Sequence, residues 1–324
     1  MLIDPILFKR IKEKKSYLDK LRPVSKTAIL KLKEQFMIEM TYHSNAIEGN
    51  TLTLRETQLV IQEGLTIAGK SLREHLEAVN HKEAIEFLEN LIGSVKKESS
   101  GKTKKSLITE NLIRQIHFLI LTKINSKEAG KYRSVQVRIA GTDYIFPQAF
   151  EVSSLMKDFV KWFRANQQKI NPVELATLFH FKFVSIHPFI DGNGRTARLL
   201  TNLILMEKGY PPAVILKADR KKYYKVLGQA HQEDIAPFVN LIARSIERSL
   251  DMYLYIFEIN KTKKEVREKE RISLAEASKG TPYSQEYLSL LARQGKLEAH
   301  KGRRNWLTTR GAVERYIKSR KRKR

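Results

Sequence analysis

Residues 187–198 read HPFIDGNGRTAR, and the reading of this stretch decides how the chain is organised. Its two glycines and Asn193 permit backbone conformations that other residues resist. They come directly before RTARLLTNLILMEKG, a run of helical period that should end near Gly209, with Pro211 and Pro212 blocking its continuation. Upstream, Asn171, Pro172 and Glu174 open another helix: Asn caps, Pro suits the first helical position and Glu reaches back to the cap. That helix runs through LATLFHFKFVSI to His187, so the quoted loop joins two helices.

A glycine-rich turn before a helix presents free N–H groups at the positive end of the helix dipole, which favours a phosphate-bearing ligand before any side chain is counted. Arg195 and Arg198 lie three apart on the helix, near one face, where both guanidinium groups can hold phosphate oxygens. Asp191 is the only acid in the loop, and a magnesium ion needs only one or two carboxylates when a nucleotide supplies further oxygens. His187 titrates in a range that suits removal of a proton from a hydroxyl at neutral pH. Each feature alone suits an ordinary helix-helix turn; together, within twelve positions, they form a base, a metal ligand, an anion cradle and two clamps.

Working outward, apolar residues from Ile29 to Met40 fall at helical spacing, so a helix runs up to TYHSNAIEGN and ends near Gly49. Thr53 and Glu56 form a capping-box pattern that opens TLRETQLVIQEG. Residues 72–92 read as a long amphipathic helix, followed by an exposed Lys/Ser-rich loop, SVKKESSGKTKKS. Between Tyr132 and Pro147 the alternation in VQVRIAGTDYIFP reads as a short β-hairpin in an otherwise helical protein.

The chain has 324 residues, 42% of them hydrophobic, enough for a main body plus a smaller module. It has no cysteine, which excludes disulfides, a thiolate nucleophile and cysteine-based zinc sites. No run of 18 apolar residues occurs, and MLIDPILFKRIKEKK lacks a secretory pattern, so the expectation is a cytoplasmic protein without a membrane partner. Net charge is +25, and residues 261–324 hold 20 Lys/Arg against 7 Asp/Glu, a surplus suited to a polyanion or to a solvated tail.

The loop resembles the signature of the Fic family, His-Pro-Phe-x-Asp/Glu-Gly-Asn-Gly-Arg-x-x-Arg, with every fixed position matched, and the likeness extends over about residues 40–245. The resemblance implies a protein adenylyltransferase that moves AMP from ATP to a protein hydroxyl with Mg2+. It implies that His187 activates the Ser, Thr or Tyr hydroxyl, Asp191 binds magnesium, Gly192, Asn193 and Gly194 hold the phosphates, and Arg195 and Arg198 orient the outer ones. It further implies that the hairpin, within residues 137–147, acts as a flap aligning the target by strand-like pairing. Tyr223 and Tyr224 fall where relatives line an adenine pocket, although tyrosines at helical spacing also suit a core; His231 is a polar neighbour without an assigned role.

In SNAIEGN, Ser44 and Glu48 share a helical face, and Glu48 stands at the helix end, where its charge opposes the dipole unless an outside cation pairs with it. The string resembles the inhibitory motif Ser/Thr-x-x-x-Glu-Gly/Asn of many Fic proteins, which implies that Glu48 pairs with Arg198 and displaces the outer phosphate.

At the other end, Ser273 with Glu276 makes a second capping box, SQEYLSLLARQG reads as a helix closed by Gly295, and KLEAHKGRRNWLTT alternates like a hairpin. Residues 271–317 resemble excisionase-type winged helix-turn-helix domains, which implies DNA as a partner. Against base readout, 284–294 carries a single cation, Arg293, together with Glu286; Lys301, Arg303, Arg304 and the tail KSRKRKR suit phosphates. A protein-recruiting module is the competing reading.

The expected fold is mainly α: an N-terminal helical region, 1–107, carrying the motif 44–49; a Fic-type core with its flap, 108–260; and a small basic winged module, 261–324. Besides the autoinhibited transferase, two functions stay open: a nucleotide-sensing transcriptional regulator, and removal of AMP by the same site with Glu48 positioning water. Self-modification and a homodimer are equally open.

Overall fold

The structure, a computed structural model, describes residues 2–22, 26–98, 106–138, 144–302 and 305–321. It forms two compact units, 1–254 and 255–324, so that the first 107 residues and those up to 254 share one unit.

The first unit is helical. Helix α1 (Pro5–Lys20) is capped by Asp4 with proline in its first turn. Helix α2 (Lys26–Ile47) carries SNAI at its end. Helix α3 (Leu54–Gln58) opens on the expected Thr53–Glu56 box and passes into a π-turn, Leu59–Glu63, closed by Gly64 in the left-handed conformation. Helix α4 (Leu72–Glu98) is longer than its sequence pattern promised, running through Gly93 into the lysine stretch; residues 99–105 of that expected loop lie outside the described residues.

Then come α5 (Glu110–Leu121), α6 (Val152–Asn166), α7 (Pro172–Ile186), α8 (Asn193–Glu207), α9 (Arg220–His231) and α10 (Ala236–Lys269). Helix α8 lies at the centre: it is buried from Arg195 to Leu205 and packs against α2, α4, α5 and α7. Its neighbour α7 is almost as enclosed, with Val173, Leu175, Ala176, Phe179 and Phe183 inside. Helices apolar on most sides belong in the middle of a bundle, and here they hold the loop between them rigid from both ends.

One cap differs from expectation. Asn171 does accept from Glu174 N, but the Glu174 carboxylate does not reach back; it takes the Leu2 and Ile3 N–H groups at 2.6 and 3.0 Å and so anchors the start of the chain. Two free backbone donors from outside the helix outcompete the single N–H of the cap.

Between α5 and α6 the expected hairpin shows no strand ladder among the described residues, and its Gly-Thr-Asp turn, 141–143, lies outside them. The arms are tied instead by side chains: Gln136 Nε2 donates to Phe146 O at 2.9 Å and Arg133 to Pro147 O at 2.6 Å.

In the second unit, β1 (Arg271–Ser273), α11 (Leu274–Ser278), α12 (Gln285–Arg293), β2 (Ala299–Lys301), β3 (Trp306–Thr309) and α13 (Arg310–Lys321) surround a core of Ile272, Leu274, Leu288, Leu291, Leu297 and Val313. The antiparallel sheet has the order β1-β3-β2, so the expected succession of two helices and a hairpin is present. Ser273 caps α11, yet the Glu276 carboxylate turns to Arg310 at 3.3 Å and leaves the box half made. Arg303, Arg304 and the last three residues of the tail lie outside the described residues.

Among the described residues no helix is long and apolar enough to cross a membrane.

Candidate active site

The loop begins where α7 stops. His187 takes a left-handed conformation, φ 50° and ψ 60°, that a residue with a side chain adopts only under constraint. The constraint is Arg133, a residue that sequence reasoning passed over. It is buried, and its guanidinium donates to His187 O (2.8 Å), Val135 O (3.1 Å) and Pro147 O (2.6 Å), while its N–H donates to Pro188 O (2.9 Å). One side chain thus fixes the turn that aims His187 and both arms of the flap segment. The only hint in the sequence is an arginine in GKYRSVQVR before an apolar alternation, a weak sign.

The half-buried His187 ring has its Nδ1 3.4 Å from Val184 O, which can only accept. The proton therefore sits on Nδ1 and the Nε2 lone pair is free. Burial lowers the pKa to about 4, with Arg133 adding to the fall and Val184 opposing it, so the ring is neutral at pH 7. Phe146 lies 4.8 Å away, centroid to centroid.

His117 on α5 is a second residue missed. It is buried and stacks flat on Phe189 at 3.6 Å. Its Nδ1 accepts from Gly130 N at 2.9 Å, which leaves Nε2 to donate to Asp191 O at 2.9 Å and pin the loop backbone. Gly192 follows at φ 76°, and a Cβ there would meet Ile120 and His117 at 3.3 and 3.4 Å. The positive φ favours glycine, while the Cβ would ask only small shifts of these side chains.

The side chain of Asn193 does not face a ligand. Its amide both accepts from Phe189 N (3.0 Å) and donates to Phe189 O (2.8 Å), so what it offers the cradle is backbone alone. The two arginines also part company. Arg195, 2% exposed, turns to Asp191 Oδ1 (3.2 Å) and to Glu77 Oε1 on α4 (3.3 Å). Arg198 turns to α2: Nε donates to Ser44 Oγ at 2.9 Å, and one NH2 group to Ser44 O and Glu48 Oε1, both at 2.8 Å. The three-residue spacing put them on one helix, but the helices packed on either side drew them apart.

Glu48 therefore meets Arg198, as the motif implied. Its tip also lies over the cradle, since a Cβ on Gly194 would come within 2.2 Å of Glu48 Oε1. The carboxylate thus stands beside the first turn of α8. Gly49 (φ 106°) turns the chain behind it, and Arg220 Nε caps the Ile47 carbonyl at 2.7 Å, offsetting the unfavourable end of the α2 dipole.

Tyr223 is a core residue. It is 2% exposed, and its hydroxyl lies 2.9 Å from His180 Nε2, so it does not line an open pocket. Tyr224 stays partly exposed, with Arg220 over its ring at 5.0 Å; burial, then the Glu48 charge, raise its hydroxyl pKa. His231 lies apart from the loop, stacked on Tyr144 at 3.6 Å in a mostly apolar groove of about 580 Å3 with Phe159, Trp162 and Phe181.

Among the described residues no three His, Cys, Asp or Glu side chains gather as a metal-binding group. Asp191 stands alone beside the cradle with its side chain 42% exposed, and a neighbouring positive field holds its pKa down against the effect of burial. One ionised carboxylate fits Mg2+, which takes its remaining oxygens from phosphate and water, although in this structure both of its oxygens accept hydrogen bonds.

The model of the Fic/DOC family matches residues 107–205. A protein adenylyltransferase Fic from Nematostella vectensis is 39% identical to this chain, covering 78% of it and 56% of the relative. A protein of the same name from Aedes aegypti is 37% identical, covering 78% and 48%. The chain spans about half the length of the curated relatives it matches. Among solved structures, a Fic domain containing signaling protein from Bacteroides thetaiotaomicron has a TM-score of 0.69 at 31% identity, covering 77% of this chain and 98% of that one. A Fic protein from C. elegans has a TM-score of 0.68 at 33% identity, covering 78% and 73%.

Proposed function

The chain belongs to the Fic/DOC family, and from that premise we propose that it transfers AMP from ATP to a protein hydroxyl and is held back by its own Glu48. The observation that carries this reading is the 2.8 Å pair between Arg198 and Glu48 over an intact cradle, since a brake is meaningful only on a working site.

In the reaction, the free Nε2 of His187 takes the proton of the target hydroxyl while its oxygen forms a bond to the α-phosphorus. The bond from that phosphorus to the bridging oxygen breaks, and pyrophosphate leaves with the electron pair. The backbone of Gly192, Asn193 and Gly194 binds the phosphates at the start of α8, and Arg198, once released, draws on the outer one. Mg2+ held by Asp191 would neutralise charge on the leaving phosphates. Residues 144–147 border the His187 side and would align the target segment, with Tyr224 beside the base.

Substituting Glu48→Gly should raise AMP incorporation at least about tenfold, because a charge-assisted pair of this kind is worth roughly 1.5–3 kcal/mol. Arg198→Ala should cancel the gain, and His187→Ala should abolish transfer while nucleotide still binds. Mass spectrometry with labelled ATP reads all three. Equal low activity in wild type and Glu48→Gly sinks the brake. Release of AMP from a modified protein by wild type and not by Glu48→Gly would assign the removal reaction instead.

For residues 255–324 we propose duplex DNA as the partner, supported by the cations Arg293, Lys296 and Lys301 on and after α12, which is capped by Ser284. Affinity should fall steeply with salt, as phosphate contacts require, and deleting KSRKRKR should flatten the slope. A full-length chain that ignores DNA at low salt favours the protein-recruiting reading.

A further inference from the structure

The carboxylate of Asp191 is already engaged on both sides. Oδ1 accepts from Gly192 N at 2.5 Å and from Arg195 at 3.2 Å, and Oδ2 accepts from Arg73 at 2.7 Å. Arg195 is buried, with Glu77 Oε1 3.3 Å from its NH1, whereas the Arg73 side chain is 59% exposed at the first turn of α4. A cation at that end of a helix opposes the dipole, so its position there reflects the carboxylates it reaches.

Those carboxylates are linked. Glu77 Oε1 lies 3.3 Å from both Arg73 Nε and Arg195 NH1, and its Oε2 accepts from Asn50 Nδ2 at 2.9 Å. Asn50 lies two residues beyond Glu48 and also donates to Glu74 O at 3.1 Å. The turn behind the brake is thus joined through Glu77 and Arg73 to Asp191, a connection separate from the Glu48–Arg198 pair.

Magnesium needs a carboxylate oxygen at about 2.0–2.1 Å with the octahedral geometry intact. A guanidinium hydrogen-bonded to Oδ2 blocks that approach and repels the ion. We propose that Arg73 is a second lock, holding Asp191 against the divalent metal and setting the Mg2+ concentration at which nucleotide binds. This rests on the reading of Asp191 as the metal carboxylate. Arg73 is a positioning residue: it acts on Asp191 and touches no reacting atom.

The test is calorimetric titration of a non-hydrolysable ATP analogue into full-length Glu48→Gly protein over a series of Mg2+ concentrations, with and without Arg73→Ala. Arg73→Ala should lower the Mg2+ midpoint for binding about two- to fivefold, the range an exposed ion pair can supply. Lys70→Ala removes a charge near the same end of α4 without touching Asp191, its partners being Thr51 O, Thr51 Oγ1 and the Glu56 carboxylate, and should leave the midpoint in place. An unmoved or raised midpoint in Arg73→Ala, or an equal fall in Lys70→Ala, overturns the lock while the metal site stands. Binding that ignores Mg2+ in the Glu48→Gly parent overturns both.

Discussion

At the scale of residues, the base proposed here, His187, holds a backbone conformation that its own side chain disfavours. Arg133 maintains it by occupying the carbonyls of His187, Val135 and Pro147. Lysine at 133 cannot span three acceptors; Arg133→Lys in the Glu48→Gly background should cut AMP transfer at least about tenfold and lower stability by about 1.5 kcal/mol or more, read by labelled ATP and urea unfolding. Unchanged transfer would free the turn from Arg133. His187 also sets a pH limit. A base must be neutral to accept a proton, and with a pKa lowered to about 4 by burial it stays neutral well below pH 6.5. Transfer by Glu48→Gly should therefore hold nearly level from pH 7 to about 5.5, whereas a solvent-like histidine would already lose most of its activity there.

At the scale of elements, the proposed brake and the proposed catalytic loop meet where the end of α2 faces the start of α8. One terminus exposes carbonyls and the other N–H groups, and Glu48 at the first is drawn to the anion position of the second. Arg220 keeps that arrangement in register by capping Ile47. Arg220→Met should fray the last turn of α2, so basal transfer by the otherwise wild-type chain should rise severalfold, yet stay below Glu48→Gly, with a loss of roughly 1.5 kcal/mol in unfolding free energy. A variant that unfolds earlier without any gain in transfer would show that the cap does not bear on the brake.

At the scale of the whole molecule, the central bundle encloses histidines as well as apolar side chains. Burial lowers His81 and His180 to about 3 and His117 to about 4, all below the unfolded value near 6.5. Below pH 6.5 the unfolded chain binds more protons than the folded one. The stability these groups contribute is full above pH 6.5 and is lost as pH falls toward 3–4, by up to about 1.4 kcal/mol per pH unit for each histidine. Urea midpoints at pH 7 and pH 5 should differ accordingly. Equal midpoints would mean that burial does not hold these rings below their unfolded pKa.

The sequence by itself determined the two helices around 187–198, the loop between them, the cap at Asn171, the box at Thr53 and the end of α2 beside Glu48. Periodicity, capping and the conformational freedom of glycine act over a few residues, so they are legible in order along the chain. The Glu48–Arg198 pair was legible too, through a motif resemblance and the charge left at a helix end. Tertiary structure decided where long side chains went. Arg195 and Arg198, alike in sequence, separated because α4 offered Glu77 to one and α2 offered Ser44 and Glu48 to the other. Tyr223 went into the core because α7 supplied His180. Arg133 carried only a weak local sign, and His117 and Arg73 none: each acts on a backbone or carboxylate oxygen between 54 and 118 positions away, and only packing brings such partners within hydrogen-bond distance.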